Sequence, residues 1–163
     1  MEAKVTTDHH RGSATIFNNP FLESLTKTSL RQNIIVYGLV VSLLIYNGIF
    51  IQNIPLLLFS GLFVFALFFW TFAEYMLHRY LFHWISENKY VQRFHFIMHG
   101  SHHLYPRDTE RLLMPPVPGL IMATLLFSIF YLFFSIIGYP VYTWGFFPGF
   151  FLGYLLYSFL HLA

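Results

Sequence analysis

The sequence predicts an all-α integral membrane protein: four transmembrane helices in two hairpins, with a histidine-rich region gathered at the cytoplasmic face. Three observations carry that prediction. The 163 residues are 56% hydrophobic and 21% aromatic, with a mean hydropathy of +0.58, which is too apolar for a soluble domain of this size. Four apolar runs punctuate the chain, each close to the length that crosses a hydrocarbon core. Six of the nine histidines fall between His78 and His103, in a chain whose charged content is only 10%.

Residues 1–33 form a polar cytoplasmic segment carrying Lys4, Arg11, Lys27 and Arg31, with no apolar core of the kind a secretory signal needs. His9 and His10 belong to this tail, where nothing nearby fixes their rings. Asn19-Pro20-Phe21-Leu22-Glu23 reads as the start of a helix, of the type that lies on a membrane surface. A membrane domain is expected over 34–163.

The apolar runs are Ile34–Phe50, Ile54–Phe72, Leu120–Ile137 and Trp144–Leu160. Gln52-Asn53-Ile54-Pro55 and Gly138-Tyr139-Pro140 are short, uncharged turn sequences, so the runs pair as antiparallel hairpins. All nine Lys and Arg lie in the N-terminal segment or between Arg79 and Arg111, and neither hairpin turn has any. That one-sided distribution puts the N-terminus and the central loop in the cytoplasm. The end of the second span, the central loop and the end of the fourth span then share one side. The middles of the spans hold no His, Asp, Lys or Arg, which leaves no relay for carrying ions and disfavours a transporter. A formal charge of +2 gives no reason to expect nucleic acid as a partner.

The histidine spacing points to a metal. On a helix, His99, His102 and His103 fall within an arc of roughly 100°, so three imidazoles can converge on one point or two adjacent ones. His78 and His83 are five apart, about 140° on an ideal α-helix, and can converge only where a helix ends or bends. The bland alternative, an interfacial ring with a hydrated tip, suits a lone histidine better than this cluster. His95 continues the face of His99 and fits a supporting role better than ligation. Cysteine is absent, so any metal is held by imidazole and carboxylate, which suits iron, zinc, copper or manganese. Glu74, the one acid within an apolar run, precedes His78 by four residues on the same helix face. A carboxylate there can accept the second ring N–H of a ligand histidine; the alternative is a snorkelling Glu paired with Arg79 or another base.

Glu74-Tyr75 before His-Arg-Tyr-Leu-Phe-His, then His95-Phe-Ile-Met-His-Gly-Ser-His-His103, then Tyr105-Pro106-Arg107-Asp108 running into Arg111-Leu-Leu-Met-Pro-Pro116, resembles the fatty acid 2-hydroxylase branch of the fatty acid hydroxylase/sterol desaturase superfamily. The resemblance implies an integral membrane oxidoreductase of lipid metabolism. In that family two metal ions, iron being expected for O₂ chemistry and zinc able to occupy the same imidazoles, use O₂ and two electrons to hydroxylate carbon 2 of a fatty acyl chain. It implies His78, His83, His99, His102, His103 and His161 as ligands, with Glu74, His95 and Asp108 behind them. His161 follows Gly153-Tyr154 and Tyr157 in a Gly-Tyr-x-x-Tyr-Asp-x-x-His-Tyr pattern, but Ser158 stands in place of Asp and Leu162 in place of the last Tyr.

The family continues past the position of Ala163 with a further ligand histidine and a final His-x-x-His-His, so the domain is expected to be C-terminally incomplete and to load one metal rather than two. No haem-binding domain is expected within the chain, so electrons come from a separate donor protein, and the other partners are the fatty acyl lipid and the membrane lipids. The expected location is a bacterial inner membrane or the endoplasmic reticulum. Two other classes stay open: a membrane-embedded histidine-rich metal-binding protein, and an inactive truncated homologue.

Overall fold

The computed structural model describes residues 18–82, 87–95 and 114–162, and every described element is helical. Helix α1, Pro20–Ser24, starts where Asn19 Oδ1 accepts the Phe21 and Leu22 N–H groups at 2.9 and 3.3 Å. Asparagine suits this position because its side chain satisfies amides that have no partner within the helix. Helix α2, Leu30–Tyr46, opens on Ser29, whose hydroxyl accepts Gln32 N–H, five residues ahead of the first apolar run. It winds into a π turn, Asn47–Ile51. Helix α3, Leu56–Met76, follows Pro55 and passes into a second π turn, Leu77–Phe82. Beyond it come α4, Lys89–His95, then α5, Pro116–Ile136, and α6, Tyr142–Leu162.

Both expected turns break the helices where the sequence placed them. Asn53 adopts φ 53° between α2 and α3, a left-handed conformation that asparagine tolerates better than most residues. Gly138 has φ 86°, and its N–H bonds Ser135 C=O at 3.0 Å while Tyr139 N–H bonds Phe134 C=O at 2.8 Å. This is a Schellman ending, and glycine removes the Cβ penalty of the left-handed residue.

Among the described residues three helical stretches, Leu30–Ile51, Leu56–Tyr80 and Pro116–Ile136, are long and apolar enough to cross a membrane. Leu39, Leu43, Phe65, Phe68, Ile121, Leu125 and Leu132 stand exposed on them, an outward apolar surface that belongs in lipid. Helix α6 is as long as α5, but Tyr, Trp, Gly and Pro dilute its apolarity, and its role is internal. It packs against α2, α3 and α5, most extensively against α3. Its Phe146, Phe147, Phe150 and Phe151 are buried and meet Phe130, Trp70 and Tyr37 with ring centroids 4.9, 5.0 and 5.5 Å apart, mostly edge to face. Such pairs contribute about 0.5–1.5 kcal/mol each beyond their area.

Glycine sets the α3–α6 distance. Gly145, Gly149 and Gly153 recur every four residues and present one stripe of α6 to α3. A Cβ on Gly149 would collide with the Phe63 backbone, lying 2.8 Å from its carbonyl carbon, and a Cβ on Gly153 would lie 2.6 Å from Trp70 Cβ. Because the α6 positions 145, 149 and 153 meet Leu62, Phe63 and Trp70 in ascending order, α3 and α6 run parallel and end at the same end of the bundle.

Candidate metal centre

That shared end collects the groups the chemistry needs. Helix α3 finishes at Met76, and His78 sits half-buried in the π turn that follows. A π turn closes i→i+5 hydrogen bonds and recurs at functional sites. Glu74 is half-buried one turn before His78. Tyr157, near the same end of α6, stands close to this carboxylate. Arg79, the alternative partner for Glu74, is occupied elsewhere: its guanidinium lies over the rings of Tyr75 and Tyr80, 5.8 and 5.4 Å from their centroids, and donates to the Tyr75 hydroxyl.

The start of α5 is tied to the same end by a polar cluster. Tyr37, on α2, is almost fully buried and donates toward the Met114 and Pro115 carbonyls at 2.9 and 3.0 Å. Asn33 Nδ2 donates to Met114 C=O at 3.2 Å and is itself steadied by the Thr28 hydroxyl at 2.8 Å. Tyr154, from α6, stands close to Met114. Room for Tyr37 comes from Gly119, where a Cβ would lie 2.8 Å from the tyrosine Cζ. Such groups lack water as an alternative partner within an apolar bundle, so satisfying them together fixes the geometry. Met114, where the described chain resumes after the segment that carries His99, His102 and His103, is thereby attached to α2.

Among the described residues no three His, Cys, Asp or Glu side chains form a metal-binding group. His83, His99, His102, His103 and Asp108 lie outside the described residues, while His95 and His161 are placed only by backbone, at the ends of α4 and α6. The donor set nonetheless fits a metal: a half-buried imidazole and a half-buried carboxylate one turn apart, at an end where α6 delivers position 161. Sequence reasoning missed the Asn33–Tyr37–Met114 cluster and the approach of Tyr157 to Glu74. The four-residue glycine repeat leading to Tyr157 is the signal that could have revealed the latter.

Fold and site thus define a helical membrane protein whose candidate ligand positions are carried to one end by parallel α3 and α6. No family model matches the chain. Similar proteins include a fatty acid 2-hydroxylase of Mus musculus, 44% identical over 66% of this chain and 28% of that protein. Another is the ceramide very long chain fatty acid hydroxylase SCS7 of Saccharomyces cerevisiae, 36% identical over 93% of this chain and 38% of that protein. A solved structure of full-length scs7p, with only its hydroxylase domain visible, matches with a TM-score of 0.76 and 35% identity, over 94% of this chain and 58% of that one. The chain belongs to the fatty acid 2-hydroxylase branch of the fatty acid hydroxylase/sterol desaturase superfamily, and it spans well under half the length of these two curated relatives.

Proposed function

We propose that this chain carries out, or forms the core of a protein that carries out, O₂-dependent hydroxylation of carbon 2 of a fatty acyl chain. The observation that carries this reading is the Glu74–His78 turn at the π-wound end of α3, at the end of the bundle where the parallel α6 finishes, in a fold shared with a hydroxylase domain. His78, His83, His99, His102, His103 and His161 would hold the metal, with Glu74, His95 and Asp108 behind them. A redox metal such as iron, when bound, supplies the one-electron steps by which O₂ attacks a strong C–H bond, and zinc, with one accessible oxidation state, cannot.

The chain's own residues perform the rest. Glu74 orients the His78 ring by accepting its second N–H. The Tyr37 and Asn33 contacts hold Met114, so that the preceding histidine segment returns to the bundle at a fixed point. The aromatic helices keep the acyl chain out of water while its carboxyl end reaches the interface. Four spans, with residues 1–33 and the metal site on the cytoplasmic side and the membrane domain over 34–163, agree with the one-sided Lys and Arg distribution. Electrons come from a separate donor, and one oxygen atom enters the acyl chain while the other leaves as water. The test is isotopically labelled O₂ supplied, with a reductase system, to membranes containing the protein. Label at carbon 2 of fatty acyl lipids is the expected result; unlabelled lipids alongside retained metal would favour a non-catalytic metal-binding role.

A further inference from the structure

We propose that the cleft at the start of α2 seats one anionic membrane phospholipid, with its phosphate on Arg31 and an acyl chain along Ile35, Leu39 and Leu43. The cleft holds about 330 Å³ and is lined by Ser29, Arg31, Gln32, Ile35 and Val36, a volume at the lower end for small-molecule sites. Its polar side chains have donors to spare. Gln32 Oε1 accepts the Thr28 hydroxyl at 3.5 Å, and Ser29 Oγ accepts the Gln32 backbone N–H at 3.2 Å, which leaves the Gln32 side-chain N–H groups and the Ser29 O–H available. Arg31 adds a full positive charge, and among the described residues no carboxylate pairs with it. A cation with further donors beside it and no acid suits an oxyanion.

The rest of α2 indicates what carries that oxyanion. Arg31, Ile35, Leu39 and Leu43 recur every four residues on one stripe. All four are exposed, while Asn33, Tyr37 and Val41 on the other side are buried in the bundle. From Arg31 to Leu43 the stripe runs about 18 Å, close to the depth of one hydrocarbon leaflet, about 15 Å. A phospholipid matches that pattern, charged at one end and apolar through a leaflet, whereas a free phosphate leaves Ile35 and Val36 uncovered. Gly48, in the π turn that follows α2, packs on Phe59 and the Trp144 carbonyl at the starts of α3 and α6. Helix α2 therefore runs antiparallel to both, and Arg31 lies at the end where they finish. At that end Arg79 rests over the Tyr75 and Tyr80 rings, basic and aromatic side chains of the kind that gather at a membrane interface, and Phe21 of α1 stands 70% exposed, as on a helix lying in that interface.

The experiment titrates the full chain, purified in detergent, with phosphatidylglycerol and reads the unfolding temperature by tryptophan fluorescence. A lipid bound only by the folded state should raise it by about 5–10 °C at a hundredfold excess over Kd, while phosphatidylcholine and inorganic phosphate should leave it unchanged. Arg31→Gln, at an exposed position, should keep its helix content and weaken the phosphatidylglycerol affinity about fivefold, the loss of one basic contact near a membrane surface. Arg31→Lys should retain most of the affinity because the charge stays. Lys89→Gln, which removes an exposed cation from α4, should bind as wild type does. Wild-type affinity in Arg31→Gln overturns the proposal, as does an equal loss in Lys89→Gln, which would reflect diffuse surface charge. Equal shifts with phosphatidylcholine or with inorganic phosphate overturn it too, the first denying selection by charge and the second denying a lipid.

Discussion

Gly149→Ala is the sharpest test of the packing that brings the two ligand-bearing helix ends together. The added Cβ would sit 2.8 Å from the Phe63 carbonyl carbon and 2.9 Å from its Cα, whereas carbon atoms in favourable contact stand about 3.5–4.0 Å apart. The neighbours are backbone, so no side-chain rotation relieves the clash. The Phe63 carbonyl oxygen lies closer still, so helices α3 and α6 must separate by about 1 Å or more, loosening the contacts that Gly145 and Gly153 make on either side. Overpacking of this kind costs about 1–3 kcal/mol and sometimes more, and its backbone origin puts Gly149→Ala at the upper end, about 3 kcal/mol. In a domain of this size that corresponds to a fall in unfolding temperature of about 6–12 °C, read by tryptophan fluorescence in detergent. Gly61→Ala, on the same α3 but with nothing within 4 Å of the new Cβ, is the control. It should be neutral or stabilising, since alanine is favoured over glycine in a helix by about 1 kcal/mol. Equal unfolding temperatures for Gly149→Ala and wild type would refute the close-packed α3–α6 interface.

Tyr37→Phe removes the hydroxyl that serves the Met114 and Pro115 carbonyls; it should cost about 1–3 kcal/mol, read in the same thermal scan, and a loss below 0.5 kcal/mol would mean the carbonyls find other partners. Reporter fusions at the Asn53 and Tyr139 turns should mark the side of the membrane opposite to fusions in the Arg79–Arg111 region. Agreement of all three on one side would end the four-span topology.

The turns, the start of α1 and the existence of the long helices were legible because each depends on local chemistry. Asn19 caps, Asn53 and Gly138 accept left-handed backbone, and Pro55 and Pro116 start helices. The role of α6 was harder to read. Its Tyr and Gly residues look like dilution of an apolar run, and their meaning appears only when Gly149 meets Phe63 and Tyr157 approaches Glu74, between helices far apart in sequence. The π turn at Leu77–Phe82 was foreshadowed only by the awkward separation of His78 and His83; no propensity marks it. Tyr37 lay inside an apolar run, and nothing local reveals that its hydroxyl is needed by carbonyls 77 and 78 residues away.

The central claim is that these histidines hold the metal on which hydroxylation depends. Elemental analysis of the purified chain beside a variant with His99, His102 and His103 all changed to Ala tests it most directly. Wild-type protein should retain bound iron or zinc through extensive washing, and the variant should lose it while keeping its helix content. Equal metal content in the two folded proteins, or none in either, would contradict the account.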